Sequence, residues 1–230
     1  MSPVFLNPDG PPNFPDPLHA DGDLIAIGGE LTPDTLLTAY GNGIFPWFGP
    51  DEPVLWWSPD PRTVLQAEQL HISRSLRRRL RRGDFELTWN HAFQEVMKGC
   101  GKSREDGTWI TQSMLLAYTK LHELGHAHSL EVWEDGALAG GVYGVQRGGL
   151  FAAESKFHTR RDASKIALAA CWSNLATAGI EVFDVQFQTP HLATMGAEEW
   201  SRKHYLREVT RVRNKSVDLA NLSPIIPQLD

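Results

Sequence analysis

HSLEVWEDGALAGGVYGVQRGGLFAAESKF, residues 128–157, decides what kind of fold this chain adopts. Its apolar, strand-forming runs are separated by turn signals at Glu134–Gly136 and Gln146–Gly149, which predicts antiparallel strands joined by turns. Helical patterns stand on both sides. ASKIALAACWSNLATAG, residues 163–179, is the clearest, with Asp162 placed to cap it and Gly179 to end it. Upstream, Phe85–Trp89 reads as a strand, His91–Gly99 as a helix, and Thr111–Leu124 as a helix stopped by Gly125. A meander set among helices, without repeated βαβ units, implies an α+β domain with a mixed, largely antiparallel sheet.

The N-terminal end is different in kind. Residues 1–20 carry Pro3, Pro8, Pro11, Pro12, Pro15 and Pro17 and are expected to be extended or irregular. A helix should start at Thr32, with Pro33 in the first turn and Leu36, Leu37 and Tyr40 as its apolar face, and end near Gly41 or Gly43. Residues 43–62, GIFPWFGPDEPVLWWSPDPR, form an aromatic, proline-rich loop and strand region. We therefore expect a small N-terminal domain over 1–62 and a larger one over 63–230, its tail beyond about 215 loosely ordered.

Composition narrows the class. The chain has 230 residues, 41% hydrophobic and 22% charged, and a net charge of −6, as an ordinary soluble protein does. It has neither an apolar run able to span a bilayer nor a secretory leader, so no membrane partner is expected. Cys100 and Cys171 form no CxxC pair and read as free thiols in a reducing cytoplasm. Against the acidic total, HISRSLRRRLRR, residues 71–82, gathers Arg74, Arg77, Arg78, Arg79, Arg81 and Arg82 without an acid. Ile72, Leu76 and Leu80 give that segment a helical apolar stripe. The cations are either a footprint for phosphate or a solvated helix surface.

EVFDVQF, residues 181–187, poses the sharper chemical question. The two-residue period sets Phe183, Val185 and Phe187 on one face, and Val182, Asp184 and Gln186 on the other. A carboxylate inside an apolar strand is costly unless it is paired or used. Glu154, in FAAESKF, would complete a polar cluster if the two strands are neighbours. Familiar catalytic patterns are missing. CGKS, residues 100–103, has Val96 where a phosphate-binding loop needs glycine; there is no HExxH and no GxSxG. GGVYGVQRGG, residues 140–149, lies between strands rather than opening a helix, so it is not a dinucleotide fingerprint. Trp47, Trp56, Trp57 and Trp109 stand in loop-like settings, suited either to a core or to stacking on an unpaired base.

Taken together these motifs resemble the bacterial leucyl/phenylalanyl-tRNA–protein transferases. The segments are GGELTPDTLLTAYGNGIFPWF (28–48), LWWSPDPR (55–62), HISRSLRR (71–78), TWI (108–110), AY (117–118) and LHELGHAHSLEVW (121–133). GGVYGV (140–145), ASKIAL (163–168), FDVQ (183–186) and HLATMGA (191–197) continue the series in order. The resemblance implies a small N-terminal domain followed by a GNAT-like acyltransferase domain. It implies transfer of Leu, Phe or Met from aminoacyl-tRNA to the α-amine of proteins beginning with Arg or Lys, creating an N-degron. No metal or cofactor is implied, and a cytoplasmic monomer is expected.

The resemblance also assigns residues. Asp184, Gln186 and Glu154 would form the polar catalytic group. From what the reaction needs, we expect Gln186 to contact the attacking amine, Asp184 to orient Gln186 and help accept charge, and Glu154 to bind the acceptor's cationic N-terminal region. Trp47 and Trp109 would lie around the 3′ adenosine, and Val142, Tyr143, Phe151, Lys156 and Leu175 would serve substrate binding. Arg74, Arg77, Arg78 and Arg81 would face the tRNA acceptor and D-arm backbone. One departure stands out: AESKFH, residues 153–158, has Ala153 and Lys156 where the family pattern has glycine and methionine. The lysine stem can pack in an apolar pocket, pair with Glu154, or favour a polar or acidic donor. Two rivals are an acyl-CoA acetyltransferase, for which HTRRDASK lacks the pyrophosphate-loop glycines, and a non-catalytic tRNA-binding protein.

Overall fold

The computed structural model describes residues 1–8, 10–66, 69–102 and 110–227. Near the N-terminus, β1 (Val4–Leu6), β2 (Leu24–Gly28), β3 (Phe45–Pro46) and β4 (Leu55–Trp57) form a four-stranded sheet in the order β1-β2-β4-β3. The proline-rich opening thus contains a short strand, paired in parallel with β2, as well as irregular chain. Helix α1 (Pro33–Gly41) starts as its sequence predicts, with the Thr35 N–H donating to the Thr32 hydroxyl at 3.2 Å.

The remaining elements are β5 (Arg62–Leu65), α2 (Arg74–Arg82), β6 (Glu86–Trp89), α3 (Phe93–Lys102), α4 (Gln112–Glu123), β7 (Ala127–Glu134), β8 (Ala137–Arg147) and β9 (Leu150–His158). Helix α5 (Ala163–Ala178), β10 (Val182–Gln186), α6 (Pro190–Thr194), β11 (Glu198–Trp200) and α7 (Arg202–Val212) follow. Seven strands make one sheet in the order β11-β5-β10-β9-β8-β7-β6. Only β9 and β10 run parallel among its neighbouring pairs, and α5 is their crossover. The α+β class and the largely antiparallel sheet hold.

Alternation along the central strands divides the core. Phe151 and Phe183 face α5, their rings stacked 5.5 Å apart, with Trp172 4.7 Å from Phe183. Their neighbours Leu150 and Val182 face α7. Tyr143, Val145 and Ala152 join a cluster that continues through α1, α3 and α4 to Ile25, Ala26 and Trp56 of the small sheet. Trp56 is therefore a core residue, its indole N–H donating to the Gly28 carbonyl at 2.9 Å.

Two local expectations are corrected. Asp162 occupies the N-cap position of α5 but makes no capping bond; its carboxylate pairs with Lys165 and Arg161 instead. The segment after α7 is tied down rather than loose: Trp89 donates to Leu219 O at 2.8 Å, Gln146 to Val217 O at 2.9 Å, and Asn174 bonds both ways with Ile225. Among the described residues, no helix is long and apolar enough to cross a membrane.

Candidate active site

The site forms where β9 and β10 part. Their parallel pairing ends at Asp184 opposite Ala152. Beyond it both strands are interrupted. Val185 is an extra residue against β5, whose Val64 and Thr63 oppose Asp184 and Gln186. Glu154 is an extra residue against β8, whose Gly144 and Tyr143 oppose Ala153 and Ser155. Bulges re-aim side chains, and these two turn Glu154 and Gln186 toward each other. The alternation expected for residues 181–187 therefore stops at Asp184, and Gln186 takes a φ of +64°. The bulge at Glu154 also explains Gly144: a Cβ there would run into the Ala152 carbonyl and the Phe151 ring. Gly144→Ala is expected to destabilise the fold by about 1–3 kcal/mol by overpacking, measured by denaturant unfolding.

The two carboxyl groups have opposite surroundings. Asp184 is fully buried and accepts Arg62 Nε at 2.8 Å, Arg62 Nη2 at 2.6 Å, the Tyr205 hydroxyl at 2.7 Å and the Gln186 backbone N–H at 2.8 Å. The guanidinium lies between the Phe45 and Tyr205 rings, 4.5 and 4.7 Å from their centroids. Burial pulls the Arg62 pKa down, but Asp184 and its other partners outweigh this and hold it above its ordinary value. Asp184 thus fixes Gln186 through the backbone.

Glu154 is also buried, but its hydrogen bonds come from a carboxamide and a phenol. Gln186 Nε2 donates to its Oε1 at 2.8 Å and the Tyr118 hydroxyl to its Oε2 at 3.3 Å. The Tyr118 hydroxyl lies 2.6 Å from that of Tyr40. Burial pushes the Glu154 carboxyl up to about 8; hydrogen bonding from Tyr40 opposes the rise, Asp184 adds to it, and Arg62 and Tyr118 oppose it. A buried carboxyl raised in this way, beside a second carboxyl fixed by an arginine, marks a candidate acid–base group.

Beside this pair opens a cavity of about 250 Å³, lined by Val142, Leu168, Val185 and Leu192 with Lys156 and Thr189 at polar positions. A larger cavity of about 790 Å³ lies between α7 and residues 14–18, away from this chemistry and touching none of these side chains. Next to Gln186, Phe187 is 42% exposed and Trp47 43% exposed, their rings 5.7 Å apart. Trp57 abuts Trp47 at 6.1 Å and donates its indole N–H to the Trp47 carbonyl. These rings make an open aromatic shelf.

Of the residues carried over from the resemblance, Asp184, Gln186, Glu154, Val142 and Lys156 converge here, with Trp47 at the rim. Tyr143, Phe151 and Leu175 are fully buried beneath and do not line the cavity. Trp109 lies outside the described residues. On α2, Leu76 and Leu80 anchor the helix in the α5 core. Arg79 is spent on Glu134 and Asp84, and Arg82 on Asp84. Arg74, Arg77, Arg78 and Arg81 form no ion pair among the described residues. The chain entering α2 is tied to the end of α6, beside the cavity, by His71 N–H to Met195 O at 2.9 Å. Arg62, Tyr205, Tyr40 and Tyr118 were not foreseen. The one available signal was a lone arginine opening the apolar run Thr63-Val64-Leu65.

A protonatable buried carboxyl beside a carboxamide, at the mouth of a partly apolar cavity, suits acyl transfer to an amine. The comparisons with known proteins agree: the chain is an aminoacyltransferase. It belongs to the leucyl/phenylalanyl-tRNA–protein transferase family. The family profile described as leucyl/phenylalanyl-tRNA protein transferase matches residues 64–210, and that of its N-terminal domain matches residues 29–60. The leucyl/phenylalanyl-tRNA–protein transferase of Tolumonas auensis is 49% identical over 208 residues, covering 88% of this chain and 89% of the relative. That of Klebsiella pneumoniae subsp. pneumoniae is 49% identical over 203 residues, covering 87% of each. Among solved structures, a GCN5-related N-acetyltransferase from Kribbella flavida is similar over 74% of this chain and 61% of its own, with a TM-score of 0.40 and 10% identity.

Proposed function

We propose that this protein moves leucine, phenylalanine or methionine from aminoacyl-tRNA to the α-amine of proteins beginning with Arg or Lys, forming a peptide bond and creating an N-degron. The observation that carries this reading is the Gln186–Glu154 contact at the mouth of the cavity, in a chain of this family. The aminoacyl ester is already activated, so holding the amine against its carbonyl supplies much of the rate. The α-ammonium must first lose a proton. An α-amino group titrates near 8, and Glu154 is held at about the same value, so a proton passes between them at little cost.

In this reading Glu154 first takes the ammonium proton and releases it to solvent. As carboxylate again, it takes a second proton from the nitrogen as that attacks the ester carbon, and gives this one to the departing 3′-oxygen of the tRNA as the ester C–O bond breaks. Gln186 positions the amine, and Asp184 positions Gln186. The part in accepting charge expected of Asp184 passes to Glu154, because both Asp184 oxygens are already engaged. The donor side chain fills the cavity, the 3′ adenine rests near Trp47, and the outward arginines of α2 meet the tRNA backbone.

Lys156 on the cavity wall favours a second reading, the same reaction with an altered donor preference. Charging tRNA with Leu, Phe, Met, Glu and Asp in parallel and measuring single-turnover transfer to an N-terminal Arg peptide decides between them. We expect Leu and Phe to exceed Glu and Asp by about tenfold or more, the scale on which a pocket of this kind discriminates. Preference for Glu or Asp selects the second reading, and binding of every donor without transfer leaves a tRNA-binding protein.

A further inference from the structure

We propose that Tyr40 and Tyr118 are positioning residues: their hydroxyls jointly hold the Glu154 carboxyl toward Gln186 and stabilise its charged form. The proposal rests on the transfer reading only in naming what Glu154 does. Its geometry stands by itself. Tyr40 comes from α1, Tyr118 from α4 and Glu154 from β9, and all three side chains are buried. The two hydroxyls are 2.6 Å apart, and that of Tyr118 is 3.3 Å from Glu154 Oε2. A hydroxyl donates one proton, so if both served only each other, one donor would be left over. The carboxylate is where it goes.

The surroundings explain why the pair matters. From β10, Gln186 donates to Oε1 and the Asp184 charge opposes ionisation; from β5, Arg62 favours it, but its hydrogen bonds go to Asp184 and to the Gly43 carbonyl. Lys156 lies two residues along the same strand, on the cavity wall. From β8, the Tyr143 ring meets that of Tyr118 edge-on at 6.0 Å. The tyrosine hydroxyls are therefore the donors that offset desolvation on the Oε2 side. Both phenols stay protonated, since burial, followed by Glu154, pushes their pKa values well above the ordinary one.

Tyr118→Phe and Tyr40→Phe keep the rings and remove one hydroxyl each. The expected result for each is an upward shift of about one to two pH units in the ionisation of Glu154, the worth of one hydrogen bond to a charged group. It is read as the rising limb of the single-turnover pH–rate profile, with KM for aminoacyl-tRNA unchanged. The same shift is expected by ¹³C NMR of the carboxyl, assigned by its loss in Glu154→Gln. That signal needs no transfer activity, so a wild-type protein that transfers nothing fails the function reading while the NMR still decides this one. Titrations of Glu154 unchanged in both folded variants overturn the proposal.

Discussion

Asp184→Ala is expected to cost about 3–5 kcal/mol of folding stability and to abolish transfer in the fraction that folds. The size follows from what is left behind. Arg62 is 1% exposed, and among the described residues its guanidinium without Asp184 keeps a 3.5 Å contact to the Gly43 carbonyl and the faces of two aromatic rings. A buried charge deprived of its partner is among the most costly single changes. In a chain of this length the melting temperature should fall on the order of 10 °C. Transfer is lost because the Gln186 N–H loses its acceptor and the +64° backbone that aims the carboxamide is no longer held. Calorimetry with single-turnover assays on the soluble fraction checks both. A variant of normal stability and near wild-type rate sinks the positioning role.

Glu154→Gln should do the opposite to stability while also slowing transfer. The amide keeps the shape and can still accept from Gln186, but it no longer takes a proton. We expect transfer at pH 8 to fall by about 10²- to 10⁴-fold, the usual worth of a general base. The part of the rise of rate with pH that comes from Glu154 should vanish with it, leaving only the titration of the α-amine. Stability carries its own signature. Because the folded carboxyl is raised to about 8 from 4.5, the folded state binds more protons than the unfolded chain between those values. Wild-type stability is therefore lost as pH climbs through that window. The variant, having no such group, should gain on the wild type from pH 4.5 to 8, reaching on the order of 3–5 kcal/mol. Urea melts at pH 4.5, 6 and 8 measure it. A gap that does not grow with pH, or a rate within threefold of wild type, removes Glu154 from the base role.

What was legible in the sequence was local. The caps of α1 and α4, the turns of the β7–β8–β9 meander and Gly179 at the end of α5 depend on residues within a few positions of one another, and those elements form as read. Asp162 shows the limit even there, since Lys165 and Arg161 claim the carboxylate that should have capped the helix. The polar cluster of Glu154, Asp184 and Gln186 was visible as residue types out of place in apolar strands. Its geometry was not. A strand period carries no sign of the extra residues at Val185 and Glu154, because each bulge exists only relative to a partner strand. Arg62 pairs with Asp184 across 122 residues, a separation no periodicity spans. Tyr40 reads simply as part of an apolar helix face and Tyr118 as part of the AY segment, and only tertiary packing brings their hydroxyls to Glu154.

The partners of Asp184 carry a consequence for how the protein is made. They come from position 62, early in the chain, and from positions 186 and 205, near its end. The inner strands β5 and β10 cannot pair until the later one has been translated. A nascent chain still threaded in the ribosome at α5 has a finished meander and both phenols in hand, but no strand to bring Gln186 to Glu154. A product terminated before Tyr205 is therefore expected to be inert rather than partly working.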